Sequence, residues 1–258
     1  MFRQLRILFA LLLLFFVGIS TWLTSLHLAS WADTLEVYIY PINADGSQST
    51  QRYIDSLNDR RFDDIERFMT RQAKRYLKLQ EQPFNISLSP QVHDIPPAPT
   101  ANSSIPANML LSLKLRLWAW THNSDPRPDP DIKVYTLFYN PQNINRLPHS
   151  IGLSKGQIGV VHAFASTRYK QSNNIVIAHE LMHTLGASDK YDLNTTTPIY
   201  PIGYANPDKR PLYPQQKAEL MGGRIPVSAS TSTMPRRFSD VVIGTATARE
   251  ISWLKVGD

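Results

Sequence analysis

The sequence predicts a single α+β domain, and three observations carry that prediction. Five segments are rich in branched and aromatic residues, as strands are: Leu35–Ile42, Phe84–Leu88, Leu111–Trp120, Ile132–Tyr139 and Gln157–Phe164. Two stretches repeat their apolar residues at helical spacing, one between the first two strands and one after the fifth. Beyond Gly186 the pattern fades into a loop-rich part that holds seven of the chain's nineteen prolines. At 258 residues and 42% hydrophobic content, the chain can bury one substantial core.

The elements follow in order. Arg3 and Arg6 precede an apolar run of thirteen residues, Ile7–Ile19, and weaker hydrophobicity continues through Trp22, Leu23, Leu26 and Leu28. Acids follow it, and no Lys or Arg recurs before Arg52. The positive-inside rule then puts the N-terminus in the cytoplasm and the remainder outside, for example in a bacterial periplasm. Residues 1–32 are therefore expected to be a signal-anchor, a transmembrane helix tethering the chain to the membrane, or a signal peptide whose removal would leave a secreted protein. Residues 33–258 are expected to be the functional domain, with an upper part at 33–186 and a lower part at 187–258.

Thr50 to about Leu79 reads as helix, broken near Asp59. Arg60, Arg61, Arg67, Arg71, Lys74 and Arg75 cluster there, but Asp59, Asp63, Asp64 and Glu66 are interleaved with them, which describes a solvated face. With a net charge of +6 and no nucleic-acid signature, no nucleic-acid partner is expected. Leu111-Ser112-Leu113-Lys114-Leu115-Arg116-Leu117 alternates strictly and reads as a strand, with a helix from Ala107 as the alternative. The second helix is expected to start after Asn173 or Asn174, either a suitable cap. The last helix is expected over Ala246–Leu254.

That second helix carries the chemistry. In His179-Glu180-Leu181-Met182-His183-Thr184-Leu185-Gly186-Ala187-Ser188-Asp189, two histidines four apart share one helix face, so both imidazoles can reach one Zn2+. Glu180 stands close enough to take a proton from a water that the metal activates. Gly186 lets the chain leave the helix in a left-handed conformation, and Asp189 can return as third ligand. The chain has no cysteine, so a metal must be held by nitrogen and oxygen. The spacing makes His179, His183 and Asp189 the metal ligands and Glu180 the catalytic base. Glu219 is the competing third ligand, and Asp192 a local substitute.

H-E-x-x-H-x-x-G-x-x-D resembles the metzincin zinc metallopeptidases in the variant whose third ligand is aspartate, as in snapalysin-like enzymes. Asp189-Lys190-Tyr191-Asp192 is also similar to the segment after the helix in immune-inhibitor-type peptidases. The motif covers eleven residues of 258, and the commoner metzincin pattern has histidine where Asp189 stands. The resemblance implies a zincin-like fold, a five-stranded twisted mixed sheet with a backing helix and the active-site helix above a cleft. It also implies a metalloprotease acting on a protein or peptide substrate, and a methionine turn beneath the metal. Leu220-Met221-Gly222-Gly223 matches that turn, with Met234-Pro235 as the alternate. Tyr191, Tyr204 and Tyr213 are candidates to stabilise an oxyanion, and His162 is read as a core or rim histidine. The rival expectations are a membrane-tethered binding protein with a structural zinc closed by a fourth ligand, His162 or Asp192, and an inactive relative of the enzyme.

Overall fold

The computed structural model describes residues 2–78, 82–98, 105–122, 125–154 and 156–254. Pro99 lies outside them, as does the end of the predicted long helix at Leu79. The chain forms an α+β fold whose centre is a five-stranded mixed sheet.

Its strands are β1 (Leu35–Asn43), β2 (Phe84–Leu88), β3 (Ile132–Tyr139), β4 (Ile151–Leu153) and β5 (Ile158–Phe164), in spatial order β2-β1-β3-β5-β4. Every pair is parallel except β4 with β5. The parallel strands are buried on both faces, so β1 is apolar almost without interruption. Leu35, Val37 and Ile39 face one core, and Tyr38, Tyr40 and Ile42 face the other.

The sequence predicted five strands, but one of them was the wrong segment. Residues Ile105–Thr121 form helix α4, while the short edge strand β4 completes the sheet. The run of alternate leucines fits both geometries, because every second even step of a strand is also a helical step of four. Burial separates them. Leu115 and Ala119 are buried against Tyr40, Tyr135 and Val160, with Leu111 and Trp118 beside them, whereas Leu113 and Leu117 are 63% and 60% exposed. A half-buried strand would have put all four leucines on one face.

The predicted long helix is broken as expected into α2 (Gln48–Asp55) and α3 (Asp63–Ala73), with a short 3-10 turn at Asp59–Arg61 between them. Ser47 caps α2 by accepting the Thr50 N–H. The α3 charges pair among themselves and with Lys170: Arg67 with Asp63 and Asp64, and Lys170 with Asp64. Helix α5 spans Lys170–Thr184 and α6 spans Thr245–Glu250.

The N-terminal expectation needs correction. Helix α1 spans Phe2–Ser30, yet among the described residues no helix is long and apolar enough to cross a membrane. The continuous apolar run of thirteen residues covers about 20 Å of helix, against a hydrocarbon core of about 30 Å. The end of the helix is used for packing instead. Leu28 and Trp31 are buried, Trp31 meets Phe84 and Trp253 edge-on with ring centroids 5.5 Å away, and His27 approaches Asp131 at 3.2 Å. The transmembrane helix, the signal-anchor and the membrane-anchored location are therefore withdrawn.

Candidate metal centre

Helix α5 crosses one face of the sheet because Ile177, Ala178, Leu181 and Met182 are almost wholly buried in the larger core, at roughly 1.5–3 kcal/mol for each large side chain. It begins three residues earlier than Asn173, after a 3-10 turn at Thr167–Tyr169. The two asparagines are tethers rather than caps. Asn173 exchanges hydrogen bonds with the Phe164 backbone at 3.2 and 2.9 Å, and Asn174 donates to the Arg61 carbonyl at 2.9 Å. They tie the helix to β5 and to the start of α3.

At the other side β4 presses on the helix at Gly152. A methyl group there would lie 2.4 Å from His183 Cβ and 2.5 Å from the Glu180 carbonyl oxygen, so only glycine permits this approach. Gly186 has φ +100°, which ends the helix and turns the chain back as its position predicted.

The three expected ligands converge. His179 Nε2 and His183 Nε2 are 3.1 Å apart, and Asp189 Oδ1 lies 3.1 and 3.2 Å from them. Among the described residues this is the cluster of histidine and carboxylate atoms able to hold a metal ion, and no fourth such residue joins it. His179 Nδ1 lies 3.0 Å from the Leu220 carbonyl oxygen, and His183 Nδ1 lies 2.8 Å from that of Ala187. A carbonyl only accepts, so each Nδ1 carries the hydrogen and each neutral ring keeps a lone pair on Nε2. Two lone pairs and a carboxylate oxygen then face one another with no hydrogen between them, and Asp189 Oδ1 has no hydrogen-bond partner. Such a donor set could hold a metal ion. Tetrahedral nitrogen and oxygen ligands of zinc stand about 3.3 Å apart, close to the separations here.

The local field agrees. Burial works against a charged His179, but Asp189, Glu180 and the Leu220 carbonyl outweigh it and raise its proton affinity. Burial would raise Asp189, yet the two imidazoles, whenever a second proton charges them, hold its carboxyl well below the usual range. The same charges that favour a proton favour a metal ion.

Glu180 is buried, and burial pushes its pKa up, partly offset by the two imidazoles. Its Oε2 has no hydrogen-bond partner. Together with His179 and Tyr191 it lines a cleft of about 310 Å³, whose apolar wall includes Ile175, Val176 and Leu193. The Tyr191 ring centroid is 6.3 Å from that of His179. Burial and then Asp189 push its hydroxyl up to about 12, so it remains an O–H donor at neutral pH. Tyr204 and Tyr213 instead bond each other at 2.8 Å, which singles out Tyr191 among the three.

Glu219 is buried elsewhere and does not join the cluster. Its oxygens accept from Gly222 N at 2.9 Å, Gly244 N at 3.0 Å and Thr247 Oγ1 at 2.7 Å, clamping the Leu220–Gly223 turn to the start of α6. That turn underlies the histidines: Leu220 supplies the carbonyl for His179, and Met221 is buried whereas Met234 is 56% exposed on the cleft. Asp192 accepts from Asn194 N and Thr195 N in an exposed turn of its own.

Sequence reasoning missed Lys190 and Glu250. Lys190 is fully buried and pairs with Glu250, while Ser188 N and Oγ donate to the same carboxylate at 3.0 and 2.6 Å. The residues on both sides of Asp189 are thus held by one side chain of α6. A separation of sixty residues leaves no local signal for this.

No known family model matches the chain, and no curated protein matches it either. A solved structure described as "Structure of a chaperone-substrate complex" is similar at 12% identity and a TM-score of 0.42, over 87% of this chain and 36% of that one. The chain therefore spans about a third of the length of the solved chain it matches.

Proposed function

We propose that this protein is a zinc-dependent peptidase of metzincin type, cutting a protein or peptide chain held in the cleft beside His179. One observation carries the reading. Three ligand atoms converge on a single point, and an unpartnered, buried oxygen of Glu180 lines the cleft next to them.

His179, His183 and Asp189 would hold the ion, with the two Nδ1–H groups fixed by the Leu220 and Ala187 carbonyls. When bound, zinc supplies a Lewis acid that makes water nucleophilic near neutral pH and polarises a carbonyl. Glu180 Oε2 accepts the proton from the attacking water and returns it to the departing amine. Its raised pKa suits both duties, since a base that ionises nearer neutrality also gives a proton back readily. The Tyr191 hydroxyl donates to the oxyanion. Apolar walls at Ile175, Val176 and Leu193 exclude water and receive a substrate side chain. With three protein ligands the site would leave a position for water, as catalytic zinc sites do and closed structural sites do not.

The test is metal analysis of the full chain coupled to cleavage of casein, an unstructured protein. One equivalent of zinc with casein cleavage that disappears in Glu180→Gln supports the reading. A protein that takes up no metal, or that cleaves casein equally well with glutamine at 180, ends it.

A further inference from the structure

Two further imidazoles, His149 and His162, line the cleft with His179 and Glu180, and the chemistry described so far uses neither. His162 stands on β5, and its ring is oriented from behind. Tyr139 Oη lies 3.0 Å from His162 Nδ1, and the two rings stack with centroids 5.6 Å apart at 26°. The pair spans adjacent strands: Leu137 of β3 stands opposite His162, so Tyr139 is its diagonal neighbour. The His162 N–H also donates to Ser150 Oγ at 3.0 Å, which holds the main chain.

Burial and Asp45 raise the Tyr139 hydroxyl above its ordinary value, so it keeps its hydrogen. Between a phenol and an imidazole nitrogen, the phenol is the acid and the imidazole the base, so Tyr139 donates to Nδ1. Burial lowers the pKa of His162 to about 4, which leaves one hydrogen on the ring at neutral pH. That hydrogen is on Nε2. The arrangement is the inverse of His179 and His183, whose Nδ1 atoms donate and whose Nε2 atoms are bare.

We propose that His162 is a substrate-binding residue whose Nε2–H, held in that tautomer by Tyr139, donates to a backbone carbonyl oxygen of a peptide lying in the cleft. A charged residue there would select a carboxylate, whereas a neutral N–H pairs with an amide carbonyl of any sequence. Tyr139 is the positioning residue. The proposal rests on the peptidase reading for its ligand but not for its tautomer.

Nitrogen-15 spectra of the histidine-labelled full chain at pH 7 provide the first test. Wild type shows His162 with a bare Nδ1 and a protonated Nε2, and Tyr139→Phe loses that preference; a charged ring, or a hydrogen on Nδ1 in wild type, overturns the proposal. The second arm measures the affinity of a casein fragment for the Glu180→Gln protein and kcat/KM in the active protein. His162→Phe weakens both by about tenfold, chiefly through KM, and His162→Gln recovers part because its amide still donates. Equal affinity with phenylalanine, or no fragment binding at all, overturns the proposal. Absence of casein cleavage by wild type defeats the peptidase reading alone, and the spectrum and fragment affinity still decide the donor.

Discussion

Glu180 and Glu219 lie in two regions built alike and used differently. Both carboxylates are buried, at 6% and 0% exposure, and burial pushes both pKa values up. Around Glu219 the turn at Gly222 and the start of α6 supply three donors, so the carboxylate is a structural rivet. Around Glu180 one oxygen meets no donor, and the cleft opens beside it. Burial alone therefore does not distinguish the candidate base from the rivet; unmet hydrogen-bonding capacity does. A group left wanting a partner costs folding free energy and keeps its reactivity available.

The largest expected effect separates the two directly. Glu180→Gln lowers casein hydrolysis by roughly 10²–10⁴-fold with zinc content unchanged, while Glu219→Gln leaves turnover per folded molecule within about threefold. Loss of turnover in a folded, metal-loaded Glu219 variant would break the comparison. Next, Asp189→Ala is expected to lose its metal through gel filtration and Glu219→Ala to keep it; the reverse stoichiometry would restore Glu219 as the ligand. Stability inverts the ranking. Glu219→Ala strands three donors and lowers the urea-derived folding free energy by about 3 kcal/mol, whereas Glu180→Gln leaves the metal-free protein unchanged or slightly more stable.

Tyr191→Phe sharpens the cleft side of the comparison, with kcat falling at least tenfold and KM changing little, if its hydroxyl serves the oxyanion. The smallest effect concerns the clamp behind Asp189. Glu250→Gln weakens zinc affinity by about tenfold, and excess zinc restores kcat. Burial opposes ionisation of Glu250, but Lys190 and Ser188 lower its pKa below the ordinary 4.5. A depressed folded-state pKa contributes stability that is present above the unfolded value and lost as pH falls through the folded one. The stability gap between wild type and Glu250→Gln should thus be full near pH 7, begin to narrow below the ordinary 4.5 and vanish once the pH has fallen through the lowered folded-state value; a gap that persists in stronger acid would deny the ion pair its role.

The site was more legible in the chain than the sheet around it. His179, Glu180, His183 and Asp189 fall within eleven residues, and a helix followed by a left-handed glycine brings them together by local geometry alone. Residues 111–117 misled because strict alternation is a strand pattern, whereas the helix turns only the leucines four apart, Leu111 and Leu115, toward the core, and contact with Tyr40 and Tyr135 decides between them. The edge strand Ile151–Leu153 is three residues long and too short to show a period. The apolar N-terminus read as a membrane segment by composition, but composition does not report that Leu28 and Trp31 have a core to enter.

What the sequence by itself determined is the candidate ligand set and its spacing, because residues within one helical turn and one return loop lie close together. Only the tertiary structure decided which buried glutamate keeps an unpartnered oxygen, which tyrosine shares the cleft with His179, and that Lys190 with Glu250 braces the residues beside Asp189. Those choices depend on contacts between residues dozens of positions apart, and hydrogen-bond saturation is a property of the folded neighbourhood rather than of any residue alone.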